Sequence, residues 1–228
     1  LIPYKFTENI KEVKQKGALP QSGNFDYTLT FDKKLDASLL FLRTKDESSY
    51  SLSKQKGLTL KLKPETIMEK GNPAFIGKRQ QHLNSSTDVS LTFDATSENE
   101  KAGLVIFQDE KHFYYLCKSK AGTQQMIQLY KSTETTDMEL LAQTPIATKS
   151  VKLSIQSAGD KYSFYYATKG NKFVTLKSDV DGKFLSTKTA GGFIGCIYGM
   201  YATSSGQPSD NEASYKFLRY VGDDAVYK

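Results

Sequence analysis

At 228 residues, with 25% charged and 38% hydrophobic side chains, the chain has the make-up of one globular domain with a short tail, and disorder is excluded. A domain of this length buries roughly 70% of its unfolded surface, so its core needs neither a disulfide nor a metal. The formal net charge is +6, but the lysines are dispersed, no block of five or six like charges occurs, and Arg43, Arg79 and Arg219 are the only arginines. That pattern points to a solvated basic surface and away from nucleic acid.

The first 24 residues stand apart. Glu8 to Lys16 is polar, with only Ile10 and Val13 at helical spacing, and Gly17, Pro20 and Gly23 follow. This stretch reads as an inter-domain connection or N-terminal tail, with the folded domain at 25–228. No signal peptide is visible. The abrupt opening at Leu1 is what an excised or processed chain would show.

From residue 25 onward the period is two. Leu39 to Leu42 is apolar on both faces, which predicts a central strand covered on both sides. Leu58, Leu60 and Leu62 alternate with Thr59, Lys61 and Lys63, and Val89, Leu91 and Phe93 with Ser90, Thr92 and Asp94. Each such segment has one buried and one wet face. Glu98-Asn99-Glu100 reads as a polar surface turn. Leu104 to Phe107 is again apolar throughout, and His112 opens a strand at an exposed position. Residues 150–177 read as a three-stranded meander. Asp179 to Gly182 ends in an Asp-Gly turn. Glycine turn signals recur every 8–15 residues, at Gly57, Gly122, Gly159, Gly170, Gly191-Gly192 and Gly206 among others. The fold class is therefore all-β, a sandwich or barrel. No apolar run reaches 18 residues, so no membrane span is expected. Cys117 and Cys196 sit in apolar strand runs and read as buried hydrophobes, with their pairing left open.

Catalytic constellations are missing. A glycosidase needs two carboxylates flanking the scissile bond, and the Glu-x-Asp-x-x-Glu string by which one strand of a jelly roll would present them does not occur. His82 and His112 are the only histidines able to serve a nucleophile as base, and His112 reads as a strand start rather than a base. Aromatic platforms that stack sugar rings could come from Tyr114, Tyr115, Tyr162, Tyr165, Tyr166, Tyr198 or Tyr201, although a sandwich core also consumes tyrosines. Tryptophan is absent.

The string Phe75-Ile76-Gly77-Lys78-Arg79-Gln80-Gln81-His82, followed by Asn99-Glu100-Lys101-Ala102-Gly103-Leu104-Val105-Ile106-Phe107-Gln108, resembles the "FIGRRQQH" and "NEEAGLVVFQ" strands of family 43 glycoside hydrolases, the β-xylosidases and α-arabinofuranosidases. Gly23-Asn24-Phe25, Phe41-Leu42-Arg43, Gly192-Phe193-Ile194-Gly195 and Tyr201-Ala202-Thr203-Ser204 are similar to further strings of the same C-terminal domain, in the same order.

The resemblance implies a concanavalin A-like jelly roll, a two-sheet antiparallel β-sandwich. It implies that the domain packs on a separate catalytic propeller and performs no chemistry itself. It also implies an aromatic leaning over the propeller's sugar pocket, at the position of Phe193. The residues alone leave open that Phe193 begins a core strand. Arg79, Gln81 and His82 are, with Phe193, the candidate contacts to ligand or partner domain. A buried network fastening two strands is the other reading of Arg79 to His82, and the one favoured. The expected partners are the propeller and a xylan- or arabinan-derived oligosaccharide, in an extracellular or periplasmic setting. Some sandwiches of this class hold calcium between the chain ends. Here the family's acids are replaced by Leu29-Thr30 and Lys216, so no cofactor is expected. A free-standing carbohydrate-binding module and a degenerate sandwich used for protein contact are the alternatives.

Overall fold

The computed structural model describes residues 23–227. Residues 1–22, and with them most of the expected connection, lie outside the described residues.

Fifteen strands build two antiparallel sheets. In chain order the first are β1 (Phe25–Thr30), β2 (Leu40–Phe41), β3 (Tyr50–Ser53), β4 (Gly57–Lys61), β5 (Ala74–Arg79), β6 (Asn84–Thr92), β7 (Lys101–Asp109) and β8 (His112–Ala121). Then come β9 (Gln124–Ser132), β10 (Met138–Pro145), β11 (Ser150–Ala158), β12 (Lys161–Ala167) and β13 (Val174–Asp181). A single helical turn, α1 (Thr187–Ala190), precedes β14 (Ile197–Thr203) and β15 (Glu212–Gly222). One sheet runs β13-β12-β11-β6-β15-β4-β3, with β1 and β4 end to end along the same side of the long β15. The other runs β10-β9-β8-β7-β14-β5-β2.

The core lies between the sheets. Val89, Leu91 and Phe93 of one layer meet Leu104, Ile106 and Tyr114 of the other in one buried cluster, as the alternation requires. Residues 150–177 form the expected meander, β11 to β13. The seven-stranded sheet is apolar on its outer face too. Val105, Phe107, Phe113, Tyr115 and Cys117 there pack under Ile67 and Met68 of the segment joining β4 to β5. The Tyr201 hydroxyl accepts the Ile67 amide at 3.2 Å and pins that cover. Leu104 to Phe107 is thus a central strand with both faces covered, as expected.

Leu39 to Leu42 is not. Only Leu40 and Phe41 pair, with Gly77 and Ile76 at the sheet edge. Leu39 and Phe41 face the inter-sheet core while Leu40 and Leu42 face the outer cluster. Apolar residues on both faces report two covered faces, and an edge strand of a doubly covered sheet satisfies that as well as a central one.

Three more expectations are corrected. Glu100 is buried, not part of a surface turn, because four donors from two loops converge on its carboxylate. His112 does open β8, but it is buried: its Nδ1 lies 2.8 Å from Asp109 Oδ1 and its ring lies against Phe184. Lys118 departs from the solvated reading of the lysines. It is fully buried, and its ammonium donates to the carbonyls of Phe93 and Thr148.

Both cysteines are free and buried. Burial pushes the Cys117 thiol up to about 12 and the Cys196 thiol up to about 11. The thiolate is the reactive form. Neither thiol is therefore expected to react with a disulfide reagent at pH 8 while the domain is folded, and both are expected to react in denaturant. Fast labelling of the folded chain would overturn this.

Candidate functional site

Arg79, Gln81, His82 and the loop carrying Phe193 come together at one end of the sandwich. There the chain crosses from β5 to β6 through residues 80–83. The β11–β12 turn, the segment between β13 and β14, and the last described residues close around it. Between them lies a cleft of about 640 Å³, lined in part by Gln81, His82, Leu83, Gly195, Cys196 and Asp224.

His82 turns inward. Its Nε2 lies 2.9 Å from the carbonyl of Gly23, which can only accept, so Nε2 carries the hydrogen. Nδ1 lies 2.9 Å from the Tyr220 hydroxyl, which also accepts the Gln81 amide at 2.9 Å. The set closes with Tyr220 donating to Nδ1. A Cβ at Gly222 would come within 2.2 Å of the imidazole, so glycine there is what gives the ring its place. His82 thereby ties the start of the domain to its final strand.

Gln80 continues the fastening. Its side-chain Nε2 donates to His82 O at 2.9 Å, and its Oε1 accepts from the Tyr162 hydroxyl at 2.7 Å. Ser85, Ser157 and the Tyr198 hydroxyl extend the network from one sheet to the other. Buried polar groups persist only when partnered, and these are. Burial pushes the Tyr162 and Tyr220 phenols above their usual range.

Asp224 joins the beginning and end of the described residues. Asn24 Nδ2 donates to Asp224 O at 3.0 Å, and the Asp224 amide donates to Asn24 Oδ1 at 2.8 Å. The Asp224 carboxylate accepts from the Leu83 and Asn84 amides and from Asn84 Nδ2. Burial works to raise its carboxyl, but these donors hold it below the usual range.

Arg79 and Gln81 behave differently. Gln81 is exposed on the cleft rim. Arg79 reaches sideways, and its Nη1 donates to Gly195 O at 2.8 Å. That carbonyl belongs to the glycine loop carrying Phe193, which is fully exposed. β14 begins only at Ile197, so Phe193 does not start a core strand. Of the four candidates, the structure brings Arg79 to the Phe193 loop, leaves Gln81 at the rim and commits His82 to the internal network.

Sequence reasoning missed four apolar side chains here. Leu83, Ile194, Val226 and Tyr227 are each more than half exposed. Leu83 lines the cleft; Ile194 adjoins Gly195; the Tyr227 ring meets His82 edge-on at 6.0 Å. The only signal was an apolar residue inside an otherwise polar loop, which is too common to single out. Among the described residues, the other large exposed apolar side chains are Leu140 and Val174, on the edge strands β10 and β13. The tyrosines offered as a sugar platform are otherwise placed. Tyr114, Tyr115, Tyr162, Tyr198 and Tyr201 are buried, and only Tyr165 and Tyr166 reach the surface in part.

No group of three or more His, Cys, Asp or Glu side chains able to hold a metal occurs among the described residues. No described helix is long and apolar enough to cross a membrane.

Residues 28–221 match the model of the β-xylosidase C-terminal concanavalin A-like domain of glycoside hydrolase family 43. A xylosidase/arabinosidase of Butyrivibrio fibrisolvens is 30% identical over 192 residues, which cover 83% of this chain and 37% of that protein. A non-reducing end α-L-arabinofuranosidase of Bacteroides ovatus, BoGH43B, is 30% identical over 182 residues, covering 79% of this chain and 34% of it. A solved structure titled Bacteroides ovatus xyloglucan PUL GH43B superposes with a TM-score of 0.80 at 26% identity, over 90% of this chain and 40% of that one. The chain thus spans less than half the length of these relatives.

Proposed function

The chain belongs to the C-terminal concanavalin A-like domains of family 43 β-xylosidases, and from that premise we propose that it serves as the non-catalytic companion of a family 43 catalytic propeller acting on xylan- or arabinan-derived oligosaccharides. Its cleft end is the docking end, and Phe193 forms part of the rim of the propeller's sugar pocket.

The observation that carries this reading is the gathering of exposed apolar side chains at one end. Leu83 lines the cleft, Phe193 and Ile194 project from the loop that reaches it at Gly195, and Val226 and Tyr227 belong to the last described residues, where the Tyr227 ring meets His82. Exposed apolar side chains gathered in one place mark an interaction surface, whereas scattered ones need no explanation. A fully exposed phenylalanine on a projecting loop suits an apolar sugar face. No cofactor enters this reading. Asn24 and Asp224 are joined directly by hydrogen bonds, and the Asp224 carboxylate is occupied by N–H donors.

Two measurements test it. The isolated chain is expected to show no turnover of aryl xylosides or arabinosides; enzyme-like turnover abolished by one carboxylate substitution would sink the proposal. In the full-length enzyme, Phe193→Ala is expected to lower kcat/KM about tenfold, the loss of roughly 1.5 kcal/mol of aromatic contact. Its unfolding midpoint should stay unchanged, because the ring buries nothing within the sandwich. An unchanged kcat/KM would remove Phe193 from the pocket rim.

A further inference from the structure

The loop carrying Phe193 is anchored at both feet. At the first, α1 ends with the Ala190 amide donating to Ser186 O at 2.8 Å and the Gly191 amide to Thr187 O at 2.9 Å. Gly191 and Gly192 then take left-handed backbone at φ 78° and 73°, which turns the chain outward at no side-chain cost. At the second foot three successive carbonyls are held. Ile194 O accepts from Gln108 Nε2 at 2.7 Å, Gly195 O from Arg79 Nη1 at 2.8 Å, and Cys196 O from the Gln80 amide at 2.9 Å.

The Gln108 amide is itself oriented. The buried Cys196 sulfur lies 3.5 Å from its Oε1 and 3.7 Å from Leu185 O, so Oε1 faces the thiol while Nε2 faces Ile194. The crest has no such support. A Cβ at Gly192 would meet nothing within 4 Å, and Phe193 is fully exposed. The pose of the ring is therefore decided at the feet.

We infer that Arg79 and Gln108 are positioning residues for Phe193, setting the direction in which its ring leaves the sandwich through their hydrogen bonds to Gly195 and Ile194. This rests on the reading that Phe193 meets sugar. It adds which residues hold the ring ready, so that less ordering is left for the moment of binding. It also gives the arginine of the Arg79 to His82 string a task apart from the internal network of Gln80 and His82.

The chain contains no tryptophan, so Phe193→Trp supplies a single fluorescent reporter at the crest. In that background, Arg79→Met and Gln108→Leu are expected to lower the anisotropy of the new indole, while Arg79→Lys, which keeps one donor, recovers at least half of the loss. In Arg79→Met the Gln80 amide, donor to the neighbouring carbonyl, is expected to exchange about fivefold faster, as loss of one hydrogen bond predicts. Amides of β7 and β8 should exchange as before. Gln108 is buried, so its variant could fail to fold; Arg79 is not, and its variants decide the matter alone. Unchanged indole anisotropy and unchanged Gln80 exchange in Arg79→Met would overturn the inference. That result would leave the pocket-rim reading standing, because no sugar is involved. A silent Phe193→Ala in the full-length enzyme would remove that reading while the indole signal stood.

Discussion

Glu100→Ala is expected to destabilise the domain by about 3 kcal/mol, since it strands several donors at once. The carboxylate accepts from the Thr96 amide at 2.7 Å and hydroxyl at 3.1 Å, from Ser209 Oγ at 2.7 Å and from Asn211 Nδ2 at 2.8 Å. It therefore joins the β6–β7 connection to the β14–β15 connection, which are far apart in sequence. For a chain of this size about 3 kcal/mol is a fall in Tm of roughly 6–12 °C. Urea unfolding followed by circular dichroism would measure it, and a loss below about 0.5 kcal/mol would show that the network does not hold the loops.

The same group gives a pH signature. Burial acts to raise the Glu100 carboxyl, but its donors together hold it below the usual carboxylate range. A carboxyl depressed on folding stabilises fully above its unfolded value and loses that contribution as pH falls through the folded one. The parent is therefore expected to lose stability on acidification below about pH 4.5 more steeply than Glu100→Gln.

Lys118→Ala is expected to cost about 3 kcal/mol, and Lys118→Met about 1–2 kcal/mol, because Met keeps the packing of the stem and loses only the ammonium contacts. The ammonium donates to Phe93 O at 2.5 Å and Thr148 O at 2.9 Å, with Asp94 Oδ1 at 3.7 Å. It thus satisfies carbonyls where β6 and β11 begin to part. Burial lowers its pKa, with Asp94 opposing. The folded state then disfavours the charged form, so stability rises as pH climbs from the folded value towards the unfolded 10.5. That alkaline rise should vanish in Lys118→Met. Equal stability of the parent and both variants would mean the carbonyls find other partners.

How the candidate site was legible differs residue by residue. Phe193 stood out through the family resemblance, while its residues alone left open a projecting ring or the start of a core strand. Its full exposure followed once β14 began beyond it. His82 stood out only as part of a polar string, and the string could not tell a ligand contact from a fastening. The deciding partner, Tyr220, lies 138 residues away. Gln108 was read as the end of an apolar strand, and its grip on Ile194 comes from a loop 86 residues later. Leu83, Val226 and Tyr227 carried no signal, since isolated surface apolar residues are ordinary until they are found side by side.

Strand and turn were written locally. A residue's face in a strand follows from its position in a period of two, and a tight turn needs a residue that tolerates left-handed backbone, so alternation and glycine spacing alone determined an all-β sandwich or barrel. Ordered motif strings determined which kind. Only the tertiary structure decided where Leu39 to Leu42 sits in its sheet, which polar side chains are buried, and what Arg79 holds. Those depend on which strands come to lie opposite one another, and pairing between distant segments leaves no period in the chain.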